Sequence, residues 1–142
     1  MGKFRKIWFV AGRVLVGLFY ILTGANHFLA LRSVSAYAAS RGVPAPSIAV
    51  VVSGLLLLNA DITFLLGLKP ELGIVALVVF FIPVSFMMHP FWSMPGDQVQ
   101  PQMINFIKNM ALLGSALVFA AVPRPWPVSV DAKLAEKGVE GS

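Results

Sequence analysis

Long apolar runs alternate with short polar links along this 142-residue chain. Four of the runs are long enough to cross the hydrocarbon core of a bilayer as an α-helix, which takes about 20 residues. We predict spanning helices at about residues 7–31, 48–68, 70–88 and 103–122. The order of runs and links therefore predicts an all-α protein, a bundle of four transmembrane helices.

The links between the runs predict how the spans connect. The first link, Arg32–Ser47, is mildly amphipathic and ends in a Gly-x-Pro-x-Pro turn, so we expect a short interfacial helix after the first span, at about Val34–Ser40. The second link is tight: Gly67 can end one helix and Pro70 can begin the next. The second and third spans should therefore form an antiparallel hairpin.

Composition supports a membrane protein and excludes several other classes. The chain is 58% hydrophobic and 12% charged, whereas a soluble domain is roughly 45–50% apolar and about 25% charged. We predict one four-span membrane domain over residues 1–127 and a loosely ordered tail over 128–142. The chain has no cysteine, which excludes disulfides and thiol catalysis. Its net charge of +5 comes from basic residues beside the spans, so nucleic acid is not an expected partner.

The distribution of basic residues predicts the orientation. Four spans place both termini on one side, together with most lysines and arginines, while the other side carries Arg32 and Arg41. The positive-inside rule then places both termini in the cytoplasm of a multi-pass protein of a bacterial-type inner membrane.

One face of the first span carries its polar and small residues. Arg13, Gly17, Tyr20, Gly24 and His27 follow one another at helical spacing, so they share a face. The rest of the span is Val, Leu, Ile and Phe, which suit lipid. We expect this face to pack against the other helices, with the glycines allowing close approach.

Two opposite charges are predicted at one depth near the inner side. Arg13 and Asp61 each lie about 9–10 Å from the inner end of their spans, at 1.5 Å per residue. An unpaired charge in a bilayer is costly, so we expect an ion pair that fixes helix register. The alternative is that Arg13 extends to the cytoplasmic headgroups.

A second polar group is predicted at the outer end of the bundle. His27 and His89 end rising spans, while Lys108 and Asn109 lie near the start of the descending fourth span, so topology places all four at one level. Donors converging in an apolar site suit the carbonyl oxygens of a quinone. The candidate ligand-binding residues are His27, His89, Lys108, Asn109, Tyr20 and Trp92.

Other interpretations of this cluster stay open. The histidines could be hydrated at the interface, and Lys108 could extend outward without a partner. Two histidines at one level also suit axial ligation of a haem, which we rank below a quinone. No HExxH motif, phosphate-binding loop or nucleophile elbow is present, so we predict no metal site and name no catalytic residue.

Several motifs in order resemble the DoxX/DoxD-like family of small membrane proteins. They are Gly-Arg-Val-Leu-Val-Gly-Leu-Phe (Gly12–Phe19), Thr-Gly-x-Asn-His-Phe (Thr23–Phe28), Tyr-x4-Gly-x-Pro-x-Pro (Tyr37–Pro46) and Lys-Asn-x-Ala-Leu-Leu-Gly (Lys108–Gly114). The resemblance implies a four-span protein linked to membrane redox work, since archaeal relatives are subunits of a thiosulfate:quinone oxidoreductase. Other relatives join oxidant-defence complexes or act as chaperones for receptor assembly.

Two classes of function follow from these observations. The first is a component of a membrane redox system that binds a quinone or a similar lipophilic ligand near the outer leaflet. The second is a non-catalytic accessory or assembly protein of a larger membrane complex. The expected partners are the lipid bilayer, a larger oxidoreductase complex or further copies of the chain. The sequence does not decide whether the protein is an enzyme.

Overall fold

The computed structural model describes the backbone of residues 1–140 and the side chains of residues 1–138. Within this part of the chain the fold is all-helical, as predicted, and four helices are long and apolar enough to span a membrane. The helices are α1 (Lys3–Leu29), α2 (Leu31–Ser40), α3 (Pro46–Leu66), α4 (Pro70–Met88), α5 (Gly96–Ala120) and α6 (Val130–Glu140), with a single 3-10 turn at Phe91–Ser93.

Two of the long helices extend past the apolar runs that predicted them. α1 begins at Lys3, and α5 begins at Gly96 and continues through Pro101. The apolar pattern marks only the part of a helix that lies in hydrocarbon, so polar turns beyond the membrane are missed. Helix α2 forms where the interfacial helix was expected.

The helices pack in the order α1, α3, α4, α5, and α2 lies against α3. Helices α1 and α3 approach closely, because Gly17 faces Leu65 and Gly24 faces Leu58. A Cβ atom added at Gly17 would lie 2.5 Å from Cδ2 of Leu65, and one added at Gly24 would lie 3.1 Å from Cδ2 of Leu58. These contacts confirm the predicted packing face of the first span, whose buried residues are Arg13, Gly17, Tyr20 and Gly24.

Aromatic side chains fill the half of the core nearest the chain termini. Trp126 is only 1% exposed, and its ring centroid lies 5.3 Å from that of Phe9 and 5.5 Å from that of Phe64. An aromatic residue beside prolines at the end of a span is typical of an interfacial anchor. Here the segment after α5 turns back, so that Trp126 completes the core between α1 and α3.

The described part of the segment after α5 is helical from Val130 to Glu140, where a loose tail was expected, and residues 141–142 lie outside the described residues. The Ser129 hydroxyl accepts a hydrogen bond from the Ala132 backbone N–H at 3.0 Å, as an N-cap residue does. Asp131 accepts one from the Lys69 backbone N–H at 2.9 Å. These bonds fix the start of α6 to the turn between α3 and α4.

The ion pair predicted between Arg13 and Asp61 does not form. The Arg13 guanidinium donates instead to the carbonyl oxygens of Pro127 at 3.1 Å and Val128 at 2.6 Å. It lies beside Gly67, where an added Cβ atom would be 3.0 Å from Nη1 of Arg13. Asp61 precedes Gly67 by six residues, or about 9 Å of helix. The two residues are at different levels because α1 packs on α3 with Gly17 opposite Leu65, which places Arg13 opposite Gly67.

Candidate ligand site

A cavity of about 270 Å³ lies in the half of the bundle away from the chain termini. α1 contributes His27, α2 covers the cavity with Val34 and Ala38, and α3 and α4 form its longer walls, which include Leu56 and Phe80. Pro83 lies inside α4 at this level and lines the cavity. The space therefore opens where a proline interrupts one spanning helix and an interfacial helix folds over two others.

His27 is the only ionisable residue among those that line this cavity. Its Nδ1 lies 2.8 Å from the carbonyl oxygen of Thr23, one turn earlier in α1. Its ring packs edge-on to Phe80, with 6.0 Å between the ring centroids. These two contacts fix the orientation of the imidazole, as a ligand-binding group requires.

Ser53 is the second polar residue of the cavity lining. Its hydroxyl donates to the carbonyl oxygen of Val50 at 2.9 Å, within α3. The other lining side chains are valine, alanine, leucine, phenylalanine, proline and methionine. A largely apolar cavity with a few polar groups is typical of a small-molecule site.

His89 belongs to a separate polar network above the cavity. Its Nδ1 lies 2.8 Å from Oε1 of Gln102 on α5. The Gln102 amide donates to the Tyr37 hydroxyl of α2 at 3.3 Å, and Arg41 donates to the same hydroxyl at 3.0 Å. Arg41 also approaches the sulfur of Met94 at 2.9 Å. This network joins α2 to the outer ends of α4 and α5.

The other predicted site residues lie outside the cavity. Lys108 is exposed, and its Nζ donates to Oδ1 of Asn105 at 3.0 Å. Asn109 is buried on the neighbouring arc of α5. Tyr20 lies in the apolar core, and Trp92 is exposed beside Phe86 and Phe106.

The structure therefore does not bring the predicted outer cluster together in one cavity. His27 and Lys108, the pair at the centre of that prediction, face different surroundings. Depth along the bundle places residues at one level but does not fix rotation about each helix axis, and consecutive helical residues point about 100° apart. His89 is likewise not among the residues that line the cavity beside His27, and its Nδ1 lies against Gln102 instead.

Sequence reasoning missed the contribution of α2, α3 and Pro83 to the site. Two features of the sequence could have indicated this contribution. One is a proline inside an otherwise apolar span, which removes a backbone hydrogen bond. The other is an amphipathic link long enough to fold back over the spans. Ser53 carries no signal of its own, because serine is common at helix-packing positions in membranes.

Comparison with known proteins identifies a family whose model the chain matches and a protein to which it is similar. The family model described as DoxX matches residues 9–90, more than half of the chain. The chain is 29% identical to the inner membrane protein YphA of Escherichia coli (strain K12), over 130 residues that cover 92% of each chain. No solved structure matches.

Proposed function

The chain belongs to the DoxX family, and from this premise we propose that it binds a quinone or a similar lipophilic molecule in the cavity beneath α2, as a small component of a membrane redox system. The observation that carries the proposal is the cavity itself, which has apolar walls and one oriented histidine, His27. The redox part follows from what the resemblance to DoxX and DoxD proteins implies.

The size and position of the cavity fit a ligand that arrives from the membrane. Its volume of about 270 Å³ lies near the lower end of the range usual for small-molecule sites, about 300–1,000 Å³. This suits one aromatic head group with a tail that leaves between the helices. We place the cavity in the outer leaflet, with both termini cytoplasmic, because basic residues concentrate on the side of the termini.

The test is to identify what the purified protein carries. The protein would be extracted in mild detergent, its bound small molecules recovered in organic solvent, and these identified by mass spectrometry and absorbance. Ala49 lines the cavity, so Ala49→Trp fills the space and should abolish retention. Leu22→Trp is the matched control, because Leu22 is 71% exposed on α1, outside the cavity. Equal retention by both variants would exclude the cavity as the site.

A second candidate function is supported by α5. Of its residues only Asn109 and Ala116 are buried, and Ile104, Ile107, Leu117 and Val118 are exposed. Such a face, with Lys108 on the same helix, suits packing against another membrane subunit, as an accessory protein would do. A partner that co-purifies with the wild-type chain and is lost with Lys108→Leu, while the extracted protein carries no small molecule, would favour this candidate.

A further inference from the structure

We propose that the cavity selects lipophilic molecules that carry a hydroxyl group, such as phenols or the reduced quinol form of a quinone, over analogues that only accept hydrogen bonds. The inference rests on the proposed function, because it assumes a ligand in this cavity. The inference is drawn from the hydrogen-bonding state of the polar groups that line the cavity. The sequence led us to expect hydrogen-bond donors there, whereas these groups are acceptors.

His27 presents an acceptor. Its Nδ1 lies 2.8 Å from the Thr23 carbonyl oxygen, and a carbonyl oxygen can only accept. Nδ1 therefore carries the hydrogen, and in the neutral ring Nε2 has a free lone pair. A ligand hydroxyl can donate to this nitrogen, whereas a ligand carbonyl or ether oxygen cannot.

Ser53, like His27, offers the cavity a hydrogen-bond acceptor. Its one hydroxyl hydrogen is directed to the carbonyl oxygen of Val50 at 2.9 Å. What the side chain offers to the cavity is the remaining lone-pair density of Oγ. Donating to a ligand instead would break this local bond.

The wall formed by α4 adds an acceptor and no donor. Proline has no backbone N–H, so Pro83 cannot donate to the carbonyl of Val79 four residues earlier. Val79 and Pro83 both line the cavity. The remaining lining side chains are hydrocarbon or thioether, and none carries an N–H or O–H group.

Acceptors without donors discriminate strongly between ligands. His27 and Ser53 are half-buried, and a ligand that covers such an acceptor without donating to it removes its hydrogen bond to water and replaces it with nothing. A ligand that brings a hydroxyl satisfies one of these groups, while an ether or quinone adds a further unpaired oxygen. We expect the hydroxyl form to bind about tenfold more tightly than an ether of the same skeleton.

The test compares 4-heptylphenol with its methyl ether, 4-heptylanisole, in which a methyl group replaces the hydroxyl hydrogen. Binding is measured by calorimetry on the full chain in lipid nanodiscs, and the signal from nanodiscs without protein is subtracted as partition into lipid. The phenol is expected to bind about tenfold more tightly than the ether. This comparison on the wild-type protein depends on no variant's folding. Equal affinities, or tighter binding of the ether, overturn the selection for hydroxyl groups and leave the proposed cavity intact.

Absence of saturable binding by either compound overturns both this inference and the proposed function. The variant His27→Phe then tests whether His27 is the residue that causes the preference for the phenol. His27→Phe should bind the ether as the wild type does and lose most of the preference for the phenol, while Leu22→Phe, on the lipid-facing side of the same helix, should keep it. A preference that persists in His27→Phe would show that His27 is not the acceptor.

Discussion

Nη2 of Arg13 donates a hydrogen bond to the carbonyl oxygen of Val128 at 2.6 Å, across 115 positions of the chain. Val128 has a φ of 51°, in the left-handed region that β-branched residues disfavour. The arginine bond compensates for this conformation and, with the bond to Pro127, holds the segment before α6 against α1. Two nitrogens of the buried guanidinium, Nη1 and Nη2, thus donate to backbone carbonyls, and the carboxylate of Asp61 takes no part.

Substitutions at these two positions should change stability in opposite directions. Arg13→Met removes two bonds from a charged donor, which should cost about 2–4 kcal/mol and lower the midpoint of thermal unfolding. Oδ1 of Asp61 has no hydrogen-bond partner among the described residues, so Asp61→Asn removes a buried charge without breaking a pair. Its midpoint should stay level or rise.

The double variant, Arg13→Met with Asp61→Asn, completes the comparison. The unfolding midpoints of all three variants would be measured by scanning fluorimetry in detergent. For residues without shared partners the two effects should add. An ion pair would instead make Asp61→Asn strongly destabilising and would make the double variant less destabilised than the sum. Lys6→Met, an exposed cation on the same helix, controls for the loss of a positive charge and should have little effect.

The close approach of α1 and α3 predicts a difference between two glycines of one helix. A Cβ atom at Gly17 would lie 2.5 Å from Cδ2 of Leu65, whereas at Gly12 it would meet nothing within 4 Å. Gly17→Val should therefore destabilise the protein by about 1–3 kcal/mol through overpacking. Gly12→Val has the same change in helix propensity and should not be destabilising. Similar unfolding midpoints for both variants would contradict the helix packing described above.

The sequence was sufficient to predict the features that depend on the spacing of apolar and polar residues along a helix. The face from Arg13 to Gly24 follows helical spacing, so its burial could be predicted from spacing alone. The hairpin at Gly67 and Pro70 could be predicted as well, because Gly67 ends α3 in the left-handed region and Pro70 begins α4.

Features that depend on where a helix ends, and on rotation about its axis, could not be predicted. Arg13 and Asp61 were placed at one depth by counting from the ends of apolar runs, but those ends are not level, since Arg13 lies opposite Gly67 at the end of α3. Lys108 was predicted beside His27, yet it is not among the residues that line the cavity, and its Nζ donates to Asn105 on its own helix. Helical spacing of 3.6 residues predicts which side of a helix faces the bundle only where several polar or small residues lie on that side. Lys108 was one polar residue in an apolar run, so its direction could not be predicted.

The proposed orientation predicts which sites a membrane-impermeant reagent reaches. The chain has no cysteine, so single variants give clean labelling. Ser40→Cys, at the exposed end of α2, should react with an impermeant maleimide in intact cells. Lys137→Cys, on α6, should react only after the cells are broken. The reverse pattern would place the termini outside and overturn the topology.

The last prediction concerns the contacts that hold α2 over the cavity. Gln102 joins His89 to Tyr37 through bonds of 2.8 Å and 3.3 Å, and so connects α2 to the ends of α4 and α5. Gln102→Leu removes both bonds, at a net cost of about 1 kcal/mol, which is roughly a fivefold rise in the opening equilibrium of α2. Hydrogen exchange should therefore speed up at the amides of Leu31–Ser40 and stay unchanged in the inner half of α3.

Gln100→Leu is the matched control, because Gln100 is exposed on the same helix and forms no side-chain hydrogen bond among those described. It should leave exchange in α2 at the wild-type rate. Since Val34 and Ala38 of α2 line the cavity, the opening caused by Gln102→Leu should also accelerate the release of a bound ligand. Unchanged exchange in Gln102→Leu would show that the bonds from Gln102 to His89 and Tyr37 do not hold the cover.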